Sequence, residues 1–228
     1  MTMPFYVSPE QLMKDRADYA RKGIARGRSV LVVEYADGIL FVTQNPSRAL
    51  HKISEIYDRI GFAAVGKYNE FENLRVAGVR FADLRGYAYD RSDVTARALA
   101  NAYAQTLGTV FTTEAKPLEV EIVVAEVGIV ADDDQIYRIS FDGAVVEEHG
   151  WVVIGGKADK LSARVDARWS PDLELAATLE LALDVLHEET ESELKLEEFE
   201  IAILDREKSR RTFTRLSASQ CAALLESK

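Results

Sequence analysis

The segment Gly61-Phe62-Ala63-Ala64-Val65-Gly66-Lys67-Tyr68 has the G-x-x-x-x-G-K spacing of a phosphate-binding loop. In such a loop backbone amides wrap the phosphates, the lysine reaches them, and a following Ser or Thr holds magnesium. Tyr68 stands where that hydroxyl is needed, and the interior Phe-Ala-Ala-Val reads as a continuing strand, so nucleotide chemistry is not expected. His51, His149 and His187 are far apart, and none has a second His or Cys at ligand spacing, which argues against zinc. A Ser-His-Asp triad assembles in space and stays open, but no G-x-S-x-G elbow is present. Asp132-Asp133-Asp134 read as a solvated turn, with an oxygen cage for a hard cation as the alternative. No catalytic residue, metal ligand or cofactor site follows from these patterns. Tyr87, Tyr89 and Tyr103 are expected in a core or an interface, where a buried hydroxyl must find a partner.

The elements that must hold these residues can be traced along the chain. Ser8 can cap a helix that has Pro9 at its first position and Gln11 to complete a capping box; it should run to Arg26 and stop at Gly27. Val30–Val33 and Ile39–Val42 flank Asp37-Gly38 as a hairpin, and both are apolar at nearly every position, as strands buried on both faces are. Residues 49–57 read as a short helix, Ile60–Val65 as a strand and Tyr68–Leu84 as a helix. A further helix should span Ser92–Leu107, with Gly108 as its stop. Strands are expected at Val120–Val127, Ile136–Phe141 and His149–Ile154, with Asp142-Gly143 joining the last two. Helices follow over 158–168 and from Ser170-Pro171-Asp172 to His187. Then come an acidic connection over Glu188–Glu198, strands at Phe199–Leu204 and Arg211–Leu216, and a helix at Ala218–Leu225. Helices arrive in pairs between groups of strands, which is not the alternation of a doubly wound sheet. Two packed antiparallel sheets with helices on both outer faces would account for it.

The chain of 228 residues, 47% hydrophobic, fits one domain over 1–228. A net charge of -10 makes nucleic acid a poor partner. One cysteine, Cys221, leaves no internal disulfide. Residues 1–7 lack the features of a secretory leader, and no stretch approaches the roughly 18 apolar residues of a membrane span, so a cytoplasmic location without membrane partners is expected. Charge is uneven: residues 1–30 carry a net +3 and residues 181–200 a net -7. The acidic run reads as a solvated loop, and the basic segment suits docking on a neighbouring copy.

Several longer segments are similar to the actinobacterial 20S proteasome alpha subunits. They are Ala20-Arg21-Lys22-Gly23-Ile24-Ala25-Arg26-Gly27, Gly61 through Leu74, Arg85-Gly86-Tyr87-Ala88-Tyr89-Asp90 and Leu99 through Thr109. The likeness is closest over residues 1–128, weakens around 129–135 and 187–198, and returns at Ala202-Ile203-Leu204-Asp205. It implies an α+β fold, the four-layer αββα sandwich of the N-terminal-nucleophile hydrolases. It also implies a ring of seven copies stacked on catalytic beta subunits, and a ring ATPase as docking partner. That hydrolase class uses a threonine whose own amine is the base. Here Gly27-Arg28-Ser29 and a helix precede the first core strand, and Thr2 is out of register, so the chain should be inert and the helix over 8–26 should fill the substrate cleft. The resemblance makes Met1, Thr2, Met3, Pro4, Phe5, Tyr6 and Val7 a gate at the ring axis. It places Lys52, with Gly66 and Lys67 beside it, in the pocket that receives the C-terminal carboxylate of the ATPase. A hydrolase of this fold with another nucleophile is the alternative.

Overall fold

The computed structural model describes residues 8–47, 49–187 and 195–226. Helix α1 (Pro9–Ile24) leads into the hairpin β1 (Val30–Tyr35) and β2 (Gly38–Gln44). Next come β3 (Ile53–Tyr57), β4 (Ile60–Gly66), α2 (Tyr68–Ala88), α3 (Ala96–Thr113), β5 (Val120–Glu126), β6 (Gln135–Ile139) and β7 (Val145–Glu148). The chain closes with β8 (Trp151–Ile154), α4 (Ala158–Asp166), α5 (Leu175–His187), β9 (Phe199–Asp205), β10 (Phe213–Leu216) and α6 (Ala218–Glu226).

The strands form two antiparallel five-stranded sheets, β10-β9-β2-β1-β8 and β3-β4-β5-β6-β7. Alternation along β1 explains its unbroken apolar run. Val30 and Val32 face the second sheet with Ile39, Phe41, Ala63, Val65 and Val123. Leu31 and Val33 face the other way, onto Leu179, Leu183 and Leu186 of α5. On the far side Phe62, Ala64, Ile122 and Val124 pack under Leu99, Tyr103 and Leu107 of α3. The result is four layers, helix–sheet–sheet–helix, as the resemblance implies, and every strand near the centre is buried on both faces.

Five local expectations need correction. Residues 53–57 form β3, not a helix; Ile53 and Ile56, three apart, mimic a helical stripe but face opposite layers, Ile53 between the sheets and Ile56 beneath α2 and α3. A bulge between Glu55 and Tyr57 shifts the pairing with β4. Gly108 does not end α3, which continues to Thr113; Gly143 (φ +86) packs against the backbone of that helix, where a Cβ on Gly143 would lie 2.8 Å from the Gly108 nitrogen. Asp142-Gly143 turns into β7, a strand missed in the sequence because Val145 and Val146 are exposed, and β8 pairs with β1 in the other sheet. Ser170-Pro171 does not open α5. Trp169 Nε1 donates to the Glu34 carbonyl (3.0 Å) and Ala36 N to the Leu173 carbonyl (2.9 Å), so this stretch is tied to the end of β1 and the helix begins at Leu175. Finally, α1 ends at Ile24, and Gln11 does not complete a capping box: Ser8 Oγ accepts from Gln11 N (3.2 Å), but the Gln11 amide turns to Asp15 (2.6 Å).

Candidate functional site

Of the residues singled out in the sequence, Lys52, Gly66 and Lys67 gather at one end of the sandwich, where β1 starts, β4 stops and α1 arrives. α1 lies across the opening between the sheets. Ala20 (0% exposed) and Ile24 (7%) belong to the core between the sheets, with Ala17 packed against it. Arg16 Nη1 donates to the Phe111 carbonyl (2.7 Å) and the Thr112 carbonyl (3.3 Å), placing a guanidinium on the last turn of α3, where the helix dipole favours a cation. A Cβ on Gly156 would lie 2.3 Å from the Ala25 carbonyl, so the turn after β8 closes directly on the end of α1. Ser29, the residue before β1, is fully buried, and its carbonyl accepts from Thr43 Oγ1 (2.8 Å). The strand entrance where a free terminal amine would act is thus occupied by continuous, packed chain.

A pocket of about 350 Å³ remains beside the end of α1, lined by Arg21, Glu121, Arg138, Ser140, Asp142 and Gly155 among others. Burial pushes the Glu121 carboxyl up and the Arg138 guanidinium counters it. Neither His nor Lys lines this pocket, so its serine has no base of those kinds beside it. The histidines are dispersed: His51 Nδ1 is 3.3 Å from Glu200, His187 Nδ1 contacts the Leu183 carbonyl (2.7 Å), and His149 precedes β8. Among the described residues no group of three His, Cys, Asp or Glu is placed to hold a metal ion.

The phosphate-loop spacing falls on β4. Its backbone pairs with β3 and β5, and Lys67 N donates to the Glu119 carbonyl (2.9 Å), so no cradle of amides exists. Gly66 (φ +109) sits where a Cβ would lie 1.9 Å from the Glu119 carbonyl, a position closed to any side chain. With Lys67 it lines a pocket of about 450 Å³ together with Tyr19, Arg26, Gly27 and Glu119. Lys67 Nζ is 3.8 Å from Glu70. Lys52 is outside that lining but meets the same linker one residue on: its Nζ donates to the Arg28 carbonyl (3.1 Å). The structure therefore brings Lys52, Gly66 and Lys67 to one end, around residues 26–28. Met1 through Val7 lie outside the described residues, as do residues 188–194 of the acidic connection.

Two carboxylates were misread in the sequence. Asp134, taken for part of a solvated turn, has a side chain only 3% exposed; it accepts both terminal nitrogens of Arg206 at 2.7 Å and the Gly128 amide at 2.7 Å. Glu200, at the end of an acidic run read as solvated, has a side chain 5% exposed and pairs with Arg215. Neither has a local signal, because the partners lie far off in sequence or across a strand pair. Tyr103 is buried, but its hydroxyl, which faces Gly78, finds no hydrogen-bond partner, and burial pushes its phenol up; Tyr87 and Tyr89 are exposed on the single chain, which removes them from the core and leaves the interface expectation.

A family profile described as proteasome subunit matches residues 24–204. A protein named proteasome subunit alpha from Sanguibacter keddieii is 67% identical over 231 residues, covering 100% of this chain and 91% of the relative. One of the same name from Kineococcus radiotolerans is 64% identical over 233 residues, covering 99% and 98%. A third, from Streptomyces coelicolor, is 60% identical and covers 100% and 91%. With the four-layer sandwich and a helix seated across its opening, these likenesses lead to one assignment: the chain belongs to the proteasome subunit family, among its alpha subunits.

Proposed function

We propose that this chain is a non-catalytic ring subunit of a cytoplasmic proteasome core particle. Seven copies form a ring that stacks on a ring of catalytic beta subunits. Residues 1–7 gate the axial channel, and Lys52, Gly66 and Lys67 receive the C-terminal carboxylate of a ring ATPase. The observation that carries the reading is α1 across the sheet opening, with Ala20 and Ile24 in the core between the sheets and Ser29 buried at the head of β1. A threonine amine has no place to act there. Large exposed apolar side chains support a role in assembly: Leu84, Tyr87 (92% exposed) and Tyr89 at the end of α2, with Ile129 and Val130, are the kind of surface a partner covers. An ammonium such as that of Lys52 serves a carboxylate as a point charge.

The test is hydrolysis of a short fluorogenic peptide by the particle formed on co-expression with the beta subunit. Removing residues 2–7 should raise the rate severalfold, and the isolated chain should cut nothing. An unchanged rate after truncation sinks the gate, and hydrolysis by the chain alone sinks the whole reading in favour of a hydrolase with another nucleophile.

A further inference from the structure

The Glu200 carboxylate is an uncommon object: a nearly buried charge on which donors from three segments converge. Oε2 accepts from Asn45 Nδ2 (2.7 Å) and from the backbone N–H of Lys52 (3.0 Å). Oε1 accepts from the backbone N–H of Ile53 (3.2 Å) and from Arg215 Nη1. Arg215 Nη2 in turn donates to the Ile53 carbonyl (2.8 Å). His51 Nδ1 lies 3.3 Å from Oε1, within ion-pair range but without hydrogen-bond geometry. From the other side, Ala64 N donates to the Lys52 carbonyl (3.1 Å). The backbone of residues 52 and 53 is therefore gripped on both sides, by a pair on β9 and β10 and by β4.

A lysine has a long flexible stem, so the place from which its ammonium reaches is set by its backbone. Resting on the reading of Lys52 as the partner of a C-terminal carboxylate, we propose that Glu200, held by Arg215, is the positioning residue that fixes Lys52 for docking. A carboxylate is required because every group hydrogen-bonded to its oxygens donates. Glutamine would turn its own NH₂ towards N–H groups, leave Arg215 without its counter-charge, and loosen the segment. Ordering Lys52 would then have to be done at the moment of binding, which weakens the charged contact and little else.

The probe is a synthetic peptide carrying the C-terminal residues of the ring ATPase encoded in the same genome, made with a free carboxylate and as its amide. Both are titrated onto the assembled alpha–beta particle, and the ratio of the two affinities is read within one preparation, so an altered active fraction cancels. Lys52→Met should abolish the preference for the carboxylate; a preference that persists removes the docking assignment itself, and the positioning role with it. Glu200→Gln should cut the preference by roughly fivefold to tenfold, the cost of ordering one long side chain, with amide binding unchanged. If Lys52→Met abolishes the preference and Glu200→Gln keeps it, docking stands and the positioning proposal falls. Asp134→Asn breaks a buried pair at the opposite end and should leave the ratio alone; an equal drop there would mean general loosening and would also overturn the proposal. Should Glu200→Gln fail to assemble, Arg215→Lys retains a cation beside Glu200 but loses the fork that reaches Ile53. It should reduce the preference, and an undiminished ratio counts against the idea.

Discussion

At the end of the sandwich away from α1, the two sheets hold each other directly. Arg206, in the β9–β10 connection, grips Asp134 and the Gly128 carbonyl of the opposite sheet's loop. Beside it the Thr212 N–H (2.9 Å) and hydroxyl (3.0 Å) both donate to the Asp58 carbonyl between β3 and β4. At the α1 end much of the closure is delegated to a separate element. α1 contributes Ala20 and Ile24 to the core and reaches α3 through Arg16, while Glu200 ties the β9 side. One end is sealed by the fold's own loops; the other is stoppered by a helix that lies outside both sheets. On the proposed function the difference separates stability from regulation: changes at the first end should unsettle the whole domain, and changes at the second should act mainly on what passes over or docks upon it.

Several measurements would break or sharpen this contrast. The largest effect is expected from Asp134→Ala, which strands Arg206 beside buried carbonyls and should cost about 3 kcal/mol or more in urea unfolding of the isolated chain. A loss under ~1 kcal/mol would erase the distinction between the ends. Ile24→Ala should cost about 2 kcal/mol, because the space it leaves can be partly closed by movement of α1. A cost matching that of Asp134→Ala would show the helix to be integral to the core rather than a stopper.

The smallest effect concerns Glu126, where burial pushes the carboxyl up, opposed by the Ala96 amide it accepts from at 2.6 Å and by Arg59. A carboxyl raised in the native state binds its proton more tightly folded than unfolded. Stability therefore falls as pH rises from the ordinary glutamate value through the raised one, and the deficit persists above it. Glu126→Gln keeps an acceptor for Ala96 and should flatten that slope, with a gain below about 1 kcal/mol at neutral pH. A steeper slope in the variant would mean the charge is stabilised where it sits.

Much of the fold was legible in the sequence because burial on both faces leaves a signature. The runs Val30–Val33 and Ile39–Val42 could only be central strands, and the paired helices around them implied covering layers. β3 was lost because a strand buried on both faces can place Ile53 and Ile56 at helical spacing. β7 was lost because its exposed valines follow no alternation. Of the candidate site, Lys52, Gly66 and Lys67 came through resemblance, and the structure puts them at one end. Glu200 and Asp134 were hidden in acidic runs, because what buries a carboxylate is a partner such as Arg206, 72 positions away from Asp134, and sequence shows only neighbours.

Among the described residues no strand lies beyond β7, the outermost strand of the second sheet, and Val145 and Val146 are open to water. Such a rim is a template on which any extended peptide can crystallise as one more strand. Glu147 and Glu148 follow at once: Glu147 is exposed, and Glu148 is 2.7 Å from Arg138 of β6. Charge on an exposed edge opposes such pairing, so Glu147 is expected to hold this rim against edge-to-edge aggregation.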